Sequence, residues 1–293
     1  KSMADTDNKK AMIEVLEVYT WQQLVDTFGD IPYSEALQGS LIPTPSYDDA
    51  QTIYEDLIVR INDAINQFSI TGESGFTSAD VIYGGDINQW LKFANSVKLK
   101  LAMRIADVAA LSTLSQTNAE QAVAAGVFTS NSDNATISYE TSPPNTNPLW
   151  VDLVQSGRSD FVVTNTIVDY MNTLSDPRRA VFFDDNIPGY LGGPYGENNS
   201  FSQYTHIGDV MHDPTFRGVL LDYAEVEFLL AEASERGYSV GGTAESHYNA
   251  AINASMEDWG VSSVDAAAYL ANPSVAYSTA SGTWRQKIGL QFW

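Results

Sequence analysis

Apolar residues return at three- and four-residue steps through most of the first 126 positions, the pattern of helices that bury one face. In residues 10–28 the stripe is Ile13, Leu16, Val18, Leu24, Val25 and Phe28, with Asp5 and Asp7 ahead of it as caps. Over 47–68 it is Ile53, Tyr54, Leu57, Ile58, Ile61, Ile65 and Phe68, and Ser46 with Asp49 has the spacing of a capping box. From 87 to 110, Trp90, Ala94, Val97, Leu101, Ile105 and Val108 form a third stripe. Thr117 and Glu120 repeat the capping-box spacing before a short Ala-rich helix that Gly126 ends. The string "FGDIPYSEAL" (28–37) closes the first stripe. Gly29 suits the positive-φ position after a helix and Pro32 stops the helix from resuming, so the string reads as a structural turn.

The periodicity then lapses. Residues 127–160 and 180–218 are rich in Asn, Ser, Thr, Pro and Gly, with "TSPPNTNPLW" and "IPGYLGGPYGENNSFSQY" as the clearest loop runs. Loops of that length inside a compact domain are often functional. A helix is predicted at 160–175 between them. Three more follow, at 222–236, 244–259 and 263–271, ended by Gly237, by Gly260 and by Asn272–Pro273. The closing "TWRQKIGLQFW" reads as the start of a further helix. About eight helices and few strands predict an all-α fold, with helix starts recurring at roughly the 40-residue scale of helix-hairpin repeats. The tetratricopeptide consensus is only partly met: Trp21 and Leu24 have its first spacing, but Val25 stands where its glycine belongs. The expectation is a single domain over 1–293, with a helical scaffold at 10–126 and 222–293 and a loop-rich, ligand-facing region at 127–218.

Charge narrows the partners. The net charge is -22, and no Lys or Arg occurs between Arg104 and Arg158. Such a surface repels phosphate backbones and anionic headgroups, which excludes nucleic acid as a partner. The absence of cysteine excludes disulfides, thiolate metal sites and a Cys nucleophile. No apolar run approaches the ~20 residues of a spanning helix, and no secretory signal is present. Both ends are abrupt, which suggests the core of a longer protein.

Catalytic and metal motifs are weak. There is no G-x-S-x-G elbow, H-E-x-x-H pair, Walker loop or dinucleotide glycine motif. Glycoside hydrolysis needs two carboxylates about 5–9 Å apart. Glu225 and Glu227 would leave a helix on different faces, while Glu14 and Glu17 align but have the spacing of an exposed helix face. "HIGDVMHD" gathers His206, Asp209, His212 and Asp213 without the spacing of a zinc motif. "FFDDNIPG" (182–189) is Asp-rich but lacks the alternation and terminal Glu of an EF-hand. Lys98, Lys100 and Arg104, and Asp176 with Arg178 and Arg179, read as architecture.

Seven stretches carry a resemblance. They are "WQQLVDTFGDIPYSEAL" (21–37), "YDDAQTIYEDLIVRINDAI" (47–65), "DVIYGGDINQWLKFANSVKLKLAMRIADV" (80–108), "NPLW" (147–150), "DPRR" (176–179), "YAEVEFLLAEASERGY" (223–238) and "YNAAINASMEDWGV" (248–261). In that order and over nearly the whole chain they resemble the SusD/RagB family, in the branch called SusD-like type 2. The resemblance implies an α-helical fold with four tetratricopeptide-like helix pairs. It also implies a non-catalytic lipoprotein on the outer face of a Gram-negative outer membrane. There it would capture oligosaccharides as a lid on a SusC-like TonB-dependent transporter; some relatives capture peptides, and some bind calcium. No cofactor is implied beyond such a structural calcium ion. Two departures stand out. The family's lipidated cysteine is missing, and its "QKW" appears as Gln291-Phe292-Trp293.

A sugar site of this kind needs flat aromatic faces, with planar amides and carboxylates for hydroxyls. The first loop region offers Tyr139, Asn145, Asn147, Trp150, Arg158 and Asp160; the second offers Tyr190, Tyr195 and Tyr204, with Asn198, Asn199 and His206 beside them. The competing reading is that Trp150 and Phe201 pin their loops to the core. The function expected is glycan capture for import. Peptide capture and a helical-repeat protein adaptor are the alternatives.

Overall fold

Several of the helices start where a side-chain oxygen takes amides that the first turn leaves unbonded. The computed structural model describes residues 4–73 and 75–293. The chain divides into two compact units, one of residues 1–129 with 232–244 and one of 130–231 with 245–293.

In the first unit, α1 (Asp7–Phe28) is capped by Thr6, whose hydroxyl accepts from the Lys9 amide at 3.3 Å. Asp5 and Asp7 flank the cap without forming it, and Asp5 pairs with Lys9 instead. α2 (Ala50–Gln67) is capped by Asp49 alone, which accepts from the amides of Gln51 and Thr52. Ser46 is not its partner, because the Ser46 amide donates to Glu35. α3 (Ile87–Arg104) begins at Asp86 and stops six residues short of the predicted end at 110. α4 (Ser112–Ala125) starts ahead of Thr117, which lies inside the helix and caps nothing. Glu120 takes the amides of Gln116 and Ser239 rather than closing a capping box. Gly126 ends the helix at φ +109°.

These four helices pack in order, α1 on α2, α2 on α3 and α3 on α4. Val15, Leu57, Ile61, Phe93, Ala94 and Val97 are fully buried. Trp90 and Phe128 flank Phe93 at 5.8 and 6.2 Å. Glu14 and Glu17 do share a face of α1, but Arg60 of α2 occupies it, 2.5 Å from Glu14 and 2.9 Å from Glu17. The pair is therefore an ion-pair clamp between helices and not a free acidic face. The same guanidinium holds the Tyr33 hydroxyl at 2.7 Å. Burial and the bond to Asp56 push the Tyr33 phenol up to about 12. Arg104 pairs with Asp26 at 3.1 Å, Lys100 lies over the Tyr19 ring, and buried Lys98 donates to Gln121 at 3.0 Å.

In the second unit, β1 (Ala135–Ile137) pairs antiparallel with β2 (Gly218–Leu221), in register Ala135 to Leu221 and Ile137 to Gly218. Between them run α5 (Pro148–Trp150), a π-turn over Val151–Gln155, α6 (Asn165–Leu174) and α7 (Arg179–Phe182). The predicted helix at 160–175 is thus shorter, starting at Asn165. Ser175 ends it in the left-handed conformation. Asp176 next to it holds Arg178 in a two-point ion pair, and Arg179 reaches back to Asn172 at 2.8 Å.

α8 (Tyr223–Glu235) belongs to this unit as far as Ala231 and to the first unit from Glu232. α9 (Ala244–Asp258), α10 (Ser263–Leu270) and α11 (Trp284–Phe292) complete the helices. Their core is built on Phe228, Tyr248, Ile252, Met256, Tyr269 and Ile288. Thr283 and Gln286 form the capping box of α11. On α8, Glu227 turns inward to His247 at 2.6 Å, while Glu225 lies on another face, as the two-residue spacing requires.

Candidate functional site

The second loop region is held by backbone bonds that only close approach allows. Gly193 donates to Val163 O at 2.8 Å and accepts from the Asn165 amide at 2.9 Å. A Cβ on Gly192 would lie 2.4 Å from the Asn165 backbone, and one on Gly193 would collide with the Asn199 side chain. Glycine at both positions is therefore what lets the segment lie flat on the start of α6. Thr205 continues the lattice, bonded to Leu191 O and to the Leu191 amide. Beneath it Val168, Met171 and Phe183 form a small apolar cluster.

Tyr195 stands on this frame. The turn that follows is fixed by Asn199, whose amide donates to Pro194 O and Glu197 O. Tyr195 is 81% exposed, although its backbone is pinned. A rigid, solvent-facing aromatic face can stack on the C–H face of a pyranose with few rotamers to freeze.

The other predicted residues fall into different roles. Asn147 is a correction: it is buried, caps α5 by accepting from Leu149, and donates to Phe216 O at 2.5 Å, so both ends of its amide are engaged. Tyr190 is half-buried, 5.6 Å from Phe183 and facing Arg179, and it adopts φ +55°. That makes it part of the apolar cluster rather than a free platform. Tyr139 is half-buried and would be the nearest neighbour of a Cβ added at Gly218 of β2. Tyr204 is half-buried, with its carbonyl taken by Asn186. Asn145 is exposed, and its carbonyl accepts from Glu140.

Trp150 is half-buried at the start of the π-turn, among the exposed side chains of Leu149, Val151 and Val154. Single π-turns within helices are frequent at functional sites. Arg158 and Asp160 are exposed and joined by a two-point ion pair, and the guanidinium lies 4.6 Å above Phe161. The bond to Arg158 holds the Asp160 carboxyl below its usual range. Of the nine predicted residues, only these two bond to each other among the described residues.

Asn199 and His206 serve the frame. The His206 ring stacks on Phe201 at 3.7 Å and its Nε2 contacts Phe201 O. Phe201 thus packs on a histidine of its own loop, a contact that does not reach the core named in the competing reading. Asp184 of "FFDDNIPG" sits 3.7 Å from His206, and Asp209 sits 3.5 Å from His212. No group of three His, Asp or Glu side chains able to hold a metal ion gathers among the described residues.

A cavity of about 300 Å³ lies elsewhere in the same unit, between α6, α8, α10 and α11. Tyr170, Asp176, Arg178, Tyr269 and Gln291 supply its polar wall. Arg178 is engaged by Asp176 and Ser255, and Tyr269 donates to Gln291 at 3.1 Å. Burial raises both the Tyr170 and the Tyr269 phenols. Sequence reasoning missed this lining because it sits on helices, where Tyr170 and Tyr269 look like ordinary core positions. Its polar groups already satisfy one another, whereas the Tyr195 ring faces solvent.

A helical scaffold carries braced loops and an exposed aromatic face, the features of a binding surface. The chain belongs to the SusD-like family: the profile of its second branch, described as "Starch-binding associating with outer membrane", matches residues 1–293. This is a family of binding proteins, not enzymes. Among solved structures the chain is similar to a chitin-binding SusD homologue from Flavobacterium johnsoniae, with 33% identity and a TM-score of 0.77 over 89% of this chain and 54% of that one. It is also similar to a SusD homologue from Bacteroides ovatus, with 31% identity and a TM-score of 0.79 over 93% of this chain and 57% of that one. A further chitin-binding protein shows 28% identity and a TM-score of 0.81 over 99% of this chain and 66% of that one. The chain thus spans between 54% and 66% of the length of these relatives. No curated protein matches its sequence. The all-α architecture expected from the periodicity is the fold these relatives share.

Proposed function

We propose that this protein captures an oligosaccharide at the outer face of the outer membrane, without transforming it, and delivers it to a SusC-like TonB-dependent transporter. Family membership supports the class, and the observation that carries the glycan reading is Tyr195, an exposed ring on a backbone fixed by Gly192, Gly193 and Asn199. Stacking on such a face is tolerant of which sugar is bound, so neighbouring side chains set the selectivity. Affinity is modest, because an open site loses part of its contact energy in ordering the ligand. Membrane association through a lipid anchor is the mode family membership supports; among the described residues no helix is long and apolar enough to cross a membrane.

Affinity electrophoresis in gels containing soluble chitooligosaccharide derivatives or starch tests this reading. The wild-type chain is retarded by one of these glycans, and Tyr195→Ala lowers the apparent affinity at least tenfold with an unchanged melting temperature. No new reducing ends form. Equal retardation of the variant sinks the assignment to Tyr195. Stabilisation by oligopeptides with no glycan shift transfers the protein to peptide capture.

A further inference from the structure

The loop that carries Tyr195 closes on itself between Leu191 and Thr205. The Thr205 amide donates to Leu191 O at 2.9 Å, and the Leu191 amide donates to the Thr205 hydroxyl at 2.8 Å. His206 follows this neck, and its backbone is fixed. Its amide donates to Asn186 Oδ1 at 3.0 Å, and its carbonyl accepts from the Asp184 amide at 3.1 Å. Asn186 Nδ2 donates to Tyr204 O at 3.0 Å, so both ends of that amide are assigned. Around the imidazole, Nε2 lies 2.8 Å from Phe201 O and Nδ1 lies 3.7 Å from Asp184 Oδ2. The ring itself stacks on Phe201 at 3.7 Å.

No neutral imidazole satisfies these neighbours. With the proton on Nε2, Phe201 O is served, but the Nδ1 lone pair faces the Asp184 carboxylate. With the proton on Nδ1, Asp184 is served and Nε2 can accept from Asn186 Nδ2 at 3.2 Å. A lone pair then meets Phe201 O at 2.8 Å. The imidazolium donates toward both oxygens, and its charge is attracted to the face of the Phe201 ring. The side chain is 21% exposed, so a proton reaches it from solvent.

The surrounding charges leave this pairing intact. No Lys or Arg occurs between Arg179 and Arg217, and Arg179 of α7 is turned to Asn172 and Tyr190. Asp185 is exposed beside Asp184, and Tyr204 is the one ionisable side chain on the covering segment 198–204. Further along the chain of His206, Asp209 is turned to His212 and Asp213 to Thr215.

We propose that His206 is a proton-operated positioning residue, whose charged form clasps Phe201 to the segment 184–186 and so tightens the loop that presents Tyr195. This rests on the proposed function for what Tyr195 holds. The clasp is fully engaged while the ring is charged and slackens as pH rises through the range where histidine ordinarily titrates, about pH 6.5. A partly exposed pair of this kind is worth a factor of about two to five. Glycan is therefore held more tightly in a mildly acid medium than in an alkaline one.

The test follows two readouts of the intact chain at about pH 5.5 and about pH 8. One is hydrogen exchange of the Leu191 and Thr205 amides, corrected for intrinsic rates. The other is retardation by soluble chitooligosaccharide derivatives or starch, relative to glycan-free gels at the same pH. In wild type both amides are expected to be about two- to fivefold better protected at the lower pH, and the apparent glycan affinity higher by a similar factor. Asp184→Asn keeps the shape and removes the charge, so it abolishes both dependences; His212→Gln leaves both in place. Equal wild-type protection at the two pH values overturns the inference, as does a dependence that survives Asp184→Asn or vanishes in His212→Gln. Glycan bound equally well at both pH values, with protection still changing, also overturns it. A wild type that binds no glycan at either pH, while its protection still follows Asp184 and His206, removes the proposed function and leaves the clasp standing.

Discussion

Single residues here do two kinds of work, and the structure separates them by what their polar atoms touch. Asp48 is short and charged, and its carboxylate gathers three donors at the neck of the 32–47 loop. The Ser34 amide and hydroxyl, with the Tyr33 amide, hold its pKa below the ordinary 3.8. A folded-state pKa that is depressed means the bracing is fully present above 3.8 and is lost as pH falls through the lower, folded value. Amide-exchange protection at Ser34, corrected for intrinsic rates, should therefore be constant from pH 7 to about pH 5 and collapse in acid. Asp48→Asn should show low protection throughout; a pH-independent wild type would refute the role. Asn147 and Tyr195 make the same contrast. Both looked like surface contact residues, but one is enclosed with both ends of its amide engaged, and only the other presents its face outward.

At the scale of elements, apolar spacing was a reliable guide because a helix must bury a stripe whatever lies beside it. The stripes of α2 and α3 became the interhelical core as expected, but in α1 only Val18 and Val25 of the expected stripe are buried; Ala11, Met12 and Val15 supply the rest of that face, while Leu24 and Phe28 are exposed. Starts and stops were less legible. Capping depends on one hydrogen bond, and several nearby residues could make it. Asp49 rather than Ser46 caps α2, and Thr117 lies mid-helix on the solvent side of α4. Asp49→Ala is thus expected to lower the urea-unfolding free energy by about 1 kcal/mol. Thr117→Ala should leave it unchanged or raise it by a few tenths of a kcal/mol, since alanine is the better helix former. A loss at Thr117 equal to that at Asp49 would restore the capping box that the structure lacks. Core truncation is more costly: Phe93→Ala, at a fully buried ring between Trp90 and Phe128, should cost about 3–5 kcal/mol. The short pair β1 and β2 escaped notice because three or four residues carry too little pattern, and their pairing spans more than eighty positions.

For the whole molecule, a net charge of -22 makes self-repulsion a general term against folding. Raising ionic strength from about 0.01 M to about 0.15 M shortens the Debye length from about 30 Å to about 8 Å. The melting temperature should rise over that range; a fall would mean that screened ion pairs such as Arg60 with Glu14 outweigh the repulsion. Charge, helical periodicity and the absence of cysteine were properties of the chain as a string. They alone predicted the all-α class and argued against nucleic acid as a partner and against thiolate chemistry, while the seven stretches mark the family by resemblance of their residues. Which loop residue meets solvent was decided only in three dimensions. Tyr190 and Tyr195 stand five positions apart in one Gly-rich run, with nothing in the run to rank them. Phe183 claims the first ring, while Gly192 and Gly193 pressed on α6 lift the second into water. Likewise the string at 28–37 spelled a turn, but its exposed leucine required the closed neck at Ile31 and Asp48 to become visible. Periodicity records which face of an element is buried; exposure within a loop depends on contacts between distant segments, which no local pattern encodes.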